Sequence, residues 1–156
     1  LRRQRQMCIR DRYEETMREL ATETVNKELP SGWIESAPSV GFTVWDNKDH
    51  RTIYLLNTDW QSAEQQHTAT FVYNGKKFPV DVRRYHIETV HCANGLAINP
   101  GSNTTDILSI NKEGNSWKVT VQNTEKDTIR CFNAETGTTT TVVLDSPSVH
   151  VITIGY

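Results

Sequence analysis

The chain has 156 residues, a net charge of −2 and 36% hydrophobic residues, a composition typical of one globular domain or of one domain plus a fragment of another. The first twelve residues hold 5 of the 17 basic groups and 1 of the 19 acidic groups, which leaves 12 basic and 18 acidic groups and a net charge of −6 on the rest. An acidic body argues against nucleic acid as a partner, and no apolar run approaches the roughly 20 residues needed to cross a membrane.

The first segment of the chain, LRRQRQMCIRDR, is basic but has no apolar central stretch of the kind found in a secretory signal. RRQRQMCIRDR resembles the translated sequencing-adapter string that recurs at broken ends of reading frames in assembled environmental DNA. The resemblance implies that residues 1–12 are a non-native extension and that an upstream part of a larger protein is missing. Bacterial cytoplasm and secretion both stay open as locations.

Residues 13–29 carry a helical pattern, and Pro30 follows it. A helix of about 16 residues is marginal alone in water, so its apolar stripe must pack on something. It is either the last helix of a missing upstream catalytic domain or a helix lying on the β domain that follows. The stripe consists of Tyr13, Met17, Leu20 and Val25. These four residues and Trp33 are the predicted domain-interface residues.

From Val40 onward the apolar period changes to two, which predicts strands. Asn74-Gly75 indicates a type I′ hairpin between two of them, and GLAINPGSNTT, residues 95–105, is predicted to be a loop. Ile53 and Leu55 fall on one face and Tyr54 and Leu56 on the other, which predicts a central strand covered on both sides. The segments are VGFTVWD, RTIYLLNT, HTATFVY, KKFPVDV, YHIETVH, DILSI, SWKVTVQ, DTIRCFN, TTTTVVL and VHVITIGY.

Nine or ten short strands without any alternation of strand and helix predict a mainly β fold. We expect an antiparallel β-sandwich, or a closely related barrel, over residues 30–156, preceded by one α-helix.

No catalytic residue is predicted. Asp59 and Glu64, near Trp60, are the most site-like pair of acids, but both lie in a polar loop where carboxylates are usually solvated. No phosphate-binding glycine loop or hydrolase motif occurs, and no cofactor is expected.

Neither a metal site nor a disulfide scaffold is predicted. His86 and His91 point to opposite faces of an extended strand, so zinc would need a bulge to collect them. Cys92 and Cys131 are better interpreted as two separate buried thiols than as a bridge, although one bridge is conceivable.

Tryptophan side chains are the remaining candidates for ligand binding, because an aromatic face can stack on a sugar ring. Trp45 and Trp117 lie on predicted strands and are expected to pack in the core. Trp60 lies in a polar loop, where we expect a contact with the missing domain and keep a sugar contact as the alternative. The candidate ligand-binding residues are therefore Trp60 and Asp59.

RTIYLLNTDW, residues 51–60, and HTATFVYNGKKFPVDVRRYHIETV, residues 67–90, resemble the C-terminal β-sandwich modules of bacterial carbohydrate-active enzymes, mainly glycoside hydrolases. In those enzymes a catalytic barrel ends in a helix and the β module follows. The catalytic carboxylates lie on the barrel, so none is carried over to this chain.

The resemblance implies a non-catalytic module that packs against and stabilises the catalytic barrel of a larger glycoside hydrolase, with that missing N-terminal domain as its partner. One alternative is a carbohydrate-binding module that uses exposed aromatic residues. Another is a structural, adhesin-like sandwich of a cell-surface protein.

Overall fold

The computed structural model describes residues 32–35, 39–48, 50–59 and 66–156. All regular elements in these ranges are strands, so the chain is mainly β, as predicted. No helix in them is long and apolar enough to cross a bilayer. The predicted helix at residues 13–29 and the extension at residues 1–12 lie outside the described residues.

Twelve strands are present in the described residues, against the nine or ten predicted. In chain order they are β1 (Trp33–Ile34), β2 (Val40–Asn47), β3 (His50–Asn57), β4 (Gln66–Tyr73), β5 (Lys76–Arg83), β6 (Ile87–Ala93), β7 (Leu96–Asn99), β8 (Thr105–Glu113), β9 (Ser116–Asn123), β10 (Asp127–Asn133), β11 (Thr139–Leu144) and β12 (Ser148–Gly155).

The strands form three antiparallel sheets. The first has the order β1-β4-β5, the central six-stranded sheet the order β11-β10-β7-β6-β3-β2, and the third the order β12-β9-β8. Five of the nine strand pairings join strands that are consecutive in the chain, which is why the turn signals of the sequence located several of them. The turn at Asn74 and Gly75 has φ values of 48° and 72°, as a type I′ hairpin requires.

The first hydrophobic core lies between the first sheet and one face of the central sheet. Phe71 of β4 and Phe78 of β5 meet Phe132 of β10 there, and the ring centroids of Phe78 and Phe132 are 4.9 Å apart. Ile53 and Leu55 of β3 are fully buried in the same cluster. Alternation along β3 therefore directs its aliphatic residues into this core, as expected.

The second core lies on the opposite face of the central sheet, against the third sheet. Trp117 and Val119 of β9 pack there with Ile129 of β10, all fully buried. The consecutive residues Ala97 and Ile98 of β7 belong to the first and second cores respectively. Because successive side chains of a strand point to opposite faces, the central sheet is shared between the two cores.

The two buried cysteines lie in different cores. Cys92 of β6 belongs to the first and Cys131 of β10 to the second, and both are free thiols, which confirms the prediction of two separate buried thiols. Burial raises the pKa of the Cys131 thiol to about 12 and raises the pKa of Cys92 as well. Both side chains stay protonated at neutral pH and act as small apolar residues.

The prediction of a loop at residues 95–105 was wrong for the first part of that segment. Leu96–Asn99 is strand β7, buried throughout between β6 and β10. The turn before it is a second Asn-Gly hairpin, with φ values of 53° at Asn94 and 84° at Gly95. A strand with both faces in a core shows no polar alternation, so its four residues do not stand out by period.

The prediction that both faces of β3 are covered was wrong for one of them. The strand is internal, between β2 and β6, and Ile53 and Leu55 are buried. On the other face, Tyr54 is half-buried and Leu56 is 37% exposed. The third sheet therefore leaves this end of the central sheet partly open.

The loop after β7 contains a close backbone approach at Gly101. A Cβ built there would lie 2.7 Å from Asp127 Oδ1 and 2.8 Å from the carbonyl oxygen of Thr128. We expect Gly101→Ala to lower the free energy of unfolding by about 2 kcal/mol, because the backbone of β10 must shift to admit a methyl group. Urea denaturation monitored by circular dichroism measures this loss.

Gly155→Ala is the matched control, since nothing lies within 4 Å of a Cβ at that position. It is expected to change the stability by no more than about 0.5 kcal/mol. Equal stabilities of the two variants would contradict the close approach at Gly101.

Candidate functional site

The open part of the central sheet carries an exposed tryptophan. Trp45 of β2 lies directly opposite Thr52 of β3, which lies opposite His91 of β6, so the three side chains share one face. This is the face opposite to Ile53 and Leu55. Trp45 is 66% exposed, an unusual position for so large an apolar side chain.

A groove of about 360 Å³ lies on this face, where β2 and β3 approach β8. Strands β2 and β3 form its floor and β8 contributes a wall through Ile107 and Leu108. A β-bulge interrupts the pairing of β8 between Ile107 and Ser109, so two successive side chains reach the groove. The groove residues are Trp45, Asn47, His50, Thr52, Tyr54, Ile107 and Leu108.

Two histidines meet beside the groove: His50 lines it, and His91 of β6 lies next to His50. His50 Nε2 lies 3.2 Å from His91 Nδ1, and Thr52 Oγ1 lies 3.3 Å from the same Nδ1 atom. The two rings are 5.4 Å apart between centroids and inclined by 61°. These residues are 41 positions apart in the chain and come together because β3 pairs with β6.

Both imidazoles are neutral at pH 7. Burial lowers the pKa of His50. Burial and the proximity of His50 together lower the pKa of His91 to about 4. Each ring therefore offers one N–H donor and one nitrogen acceptor.

An ion pair of the same two strands, Arg51 and Asp46, lies on the opposite face of the sheet. Arg51 and Asp46 alternate with the groove residues, and Arg51 Nε donates to Asp46 Oδ1 at 2.7 Å. Arg51 also donates from Nη1 to the carbonyl oxygen of Gly32 at 2.8 Å, beneath the sheet. None of the seven groove residues is an acid, a lysine or an arginine. The groove thus combines aromatic and aliphatic surface with uncharged hydrogen-bonding groups.

The expectation that Trp45 packs in the core was wrong, whereas the same expectation for Trp117 is confirmed. Trp117 is fully buried, and its Nε1 donates to the carbonyl oxygen of Asn94 at 2.8 Å. In VGFTVWD, Val40 and Val44 lie on the core side, so alternation already assigned Trp45 to the other face. That was the available signal for the groove, and it was missed.

The predicted ligand-binding pair is only partly described. Asp59 follows β3, and its Oδ2 lies 3.2 Å from His67 Nε2. It follows the end of β3 opposite to His50 and is not a groove residue. Trp60 and Glu64 lie outside the described residues, so binding at Trp60 and Asp59 stays a prediction.

Of the predicted domain-interface residues, Trp33 is described and the rest are not. Trp33 lies in β1, opposite Val72 of β4, and is half-buried. Its contact with another domain stays a prediction. The stripe that precedes it, Tyr13, Met17, Leu20 and Val25, lies outside the described ranges.

Metal ligands do not cluster in the described part of the chain: no group of three or more His, Cys, Asp or Glu side chains there could hold an ion. His86 is exposed at the turn before β6, and His91 Nδ1 lies 3.2 Å from His50 Nε2. The partner of His91 is instead His50.

Comparison with known proteins gives no relative for this chain. No family model matches it, and neither the curated proteins nor the solved structures gave a match.

Proposed function

We propose that the chain is a non-catalytic carbohydrate-binding module whose groove, lined by Trp45, Tyr54 and their neighbours, binds an uncharged glycan. The observation that carries the proposal is the exposed indole of Trp45 beside the half-buried ring of Tyr54. A pyranose ring has an apolar C–H face that stacks on such rings and removes their surface from water. An aromatic surface left open by the fold is typical of a binding site.

The polar groups of the groove support the same ligand class. Asn47, His50 and Thr52 offer amide, imidazole and hydroxyl groups that can donate to or accept from sugar hydroxyls. The lining is thus mixed, with polar and apolar surface side by side, as a ligand with hydroxyl groups and C–H faces requires. Without a lysine or arginine in its lining, the groove has no strong partner for an acidic glycan.

The proposal takes up the alternative that the sequence left open, a carbohydrate-binding module, and keeps a larger glycoside hydrolase as the parent protein and its catalytic domain as the partner. Glycoside hydrolysis in most families needs two carboxyl groups held about 5 to 9.5 Å apart across the bond, and the groove lining contains none. The three sheets and their two cores support a sandwich-like layered architecture, in which rigid strands present the binding face.

Affinity gel electrophoresis of the whole chain against a panel of neutral polysaccharides tests the proposal. We expect retardation by at least one of them and at least a tenfold loss of affinity in Trp45→Ala, because the variant removes the stacking surface. The exposure of Trp45 means that the variant should fold normally.

Tyr85→Asn is the matched control. Tyr85 is 74% exposed and outside the groove lining, and its φ of 62° suits asparagine better than alanine. It should bind as the unaltered chain does. Retardation by no polysaccharide, or equal binding by Trp45→Ala, would contradict the proposal and favour a module that only packs against its catalytic domain.

A further inference from the structure

We propose that His50 Nε2 and His91 Nδ1 form a two-nitrogen site for a divalent transition-metal ion such as Zn²⁺ at the edge of the groove, which His50 lines. The inference is independent of the proposed glycan binding, since it concerns the ion alone. It starts from the one place in the described residues where two imidazole nitrogens face each other, at 3.2 Å.

The spacing of the nitrogens fits a shared ion. Zinc binds imidazole nitrogen at about 2.0 to 2.1 Å, and two such ligands at the tetrahedral angle lie about 3.3 Å apart. The observed separation of 3.2 Å is within about 0.2 Å of that value. The rings are inclined by 61° and so do not stack face to face.

Both histidines lie on internal strands of the central sheet that pair with each other. His50 begins β3, and His91 lies in β6, which pairs with β3 on one side and β7 on the other. The groove gives an ion access from solvent. Thr52 Oγ1, 3.3 Å from His91 Nδ1, and the side chain of Asn47 supply oxygen atoms in the same groove.

Binding requires a shift of protons between ring nitrogens and no net release. In the hydrogen-bonded pair, one of the two facing nitrogens carries a proton. When both lone pairs bind the ion, the proton of His50 resides on Nδ1 and that of His91 on Nε2, so each ring stays neutral. The ion replaces the N–H···N hydrogen bond, keeps its 2+ charge and takes water molecules at its open positions.

Two protein ligands set the expected selectivity and strength. Imidazole nitrogen suits Zn²⁺, Ni²⁺ and Cu²⁺, with Cu²⁺ bound most tightly, and is a poor ligand for Mg²⁺ and Ca²⁺. No third His, Cys, Asp or Glu joins the pair among the described residues. The ion is therefore expected to be exchangeable, with solvent or a bound ligand completing its coordination.

Histidine-selective ¹⁵N NMR of the whole chain during a titration with zinc chloride is the test. We expect saturable shifts at His50 Nε2 and His91 Nδ1, no such shifts with magnesium chloride, and reversal by EDTA. His50→Gln should weaken the zinc affinity measured by calorimetry at least tenfold while circular dichroism shows the fold retained.

His150→Ala is the matched control, because His150 lies in β12 of the third sheet, where its Nε2 contacts the hydroxyl of Ser148 and the carbonyl oxygen of Ser146. It should bind zinc as the unaltered chain does. No saturable shift, zinc shifts confined to other histidines, or unchanged affinity in His50→Gln would each overturn the proposal. The NMR readout on the unaltered chain needs no variant to fold and is separate from any polysaccharide binding.

Discussion

Replacing Trp117 by alanine is expected to lower the free energy of unfolding by about 4 kcal/mol, whereas Trp45→Ala should change it by less than about 0.5 kcal/mol. Trp117 is fully buried in the second core, and Tyr156 packs on it with 5.0 Å between ring centroids. Truncation leaves a cavity lined by β-strands that cannot collapse freely. Truncation of Trp45, which has 66% of its surface exposed, leaves no such cavity.

Guanidinium denaturation of both variants, with the slope of the transition fitted for each, measures the contrast. Trp117→Phe serves as a second step, since it keeps an aromatic ring but loses the Nε1 hydrogen bond to Asn94. The variant is expected to lower the free energy of unfolding by about 2 kcal/mol, because the smaller ring packs less well and the carbonyl group of Asn94 loses its donor. A stability of Trp117→Ala close to that of Trp45→Ala would show that the second core is not as described.

Replacing Arg51 by methionine is expected to lower the free energy of unfolding by about 3 kcal/mol. The side chain of Arg51 is 5% exposed and bonds through two nitrogens to Asp46 and through a third to Gly32. Its loss leaves a buried carbonyl group and a carboxylate without this partner. Asp46 has 36% of its side chain exposed, so water can replace part of the hydrogen bonding that Arg51 supplied. The expected decrease in the free energy of unfolding is therefore at the lower end of the range for breaking a buried ion pair.

The matched control is an ion pair of similar chemistry in solvent. Lys126 and Asp145 approach to 3.2 Å, but their side chains are 69% and 78% exposed. Lys126→Met is expected to cost no more than about 0.5 kcal/mol, and raising the salt concentration should remove even that. Thermal and urea unfolding at low and high salt compare the two variants. If at high salt Arg51→Met lowered the free energy of unfolding no more than Lys126→Met does, the buried role of Arg51 would be contradicted.

The sequence alone determined most of the strands and several turns, because these depend on neighbouring residues. Alternation identified the strands now seen as β2 to β6 and β8 to β12, and Asn74-Gly75 identified its hairpin through the positive φ that both residues tolerate. The distance between Cys92 and Cys131 in the chain favoured separate thiols. Strand β7 was not predicted, because both of its faces are buried and its sequence therefore lacks the alternating polar residues.

The tertiary structure alone decided where the molecule is open. The period of VGFTVWD assigns Trp45 to the face opposite the core, but whether that face meets water depends on how far the third sheet extends over it. The third sheet is built from β8, β9 and β12, the first of which begins at Thr105, more than fifty positions along the chain from Trp45. The contact of His50 with His91 likewise depends on the pairing of β3 with β6. Local pattern specifies which way a side chain points, and only the packing of distant strands specifies what it meets there.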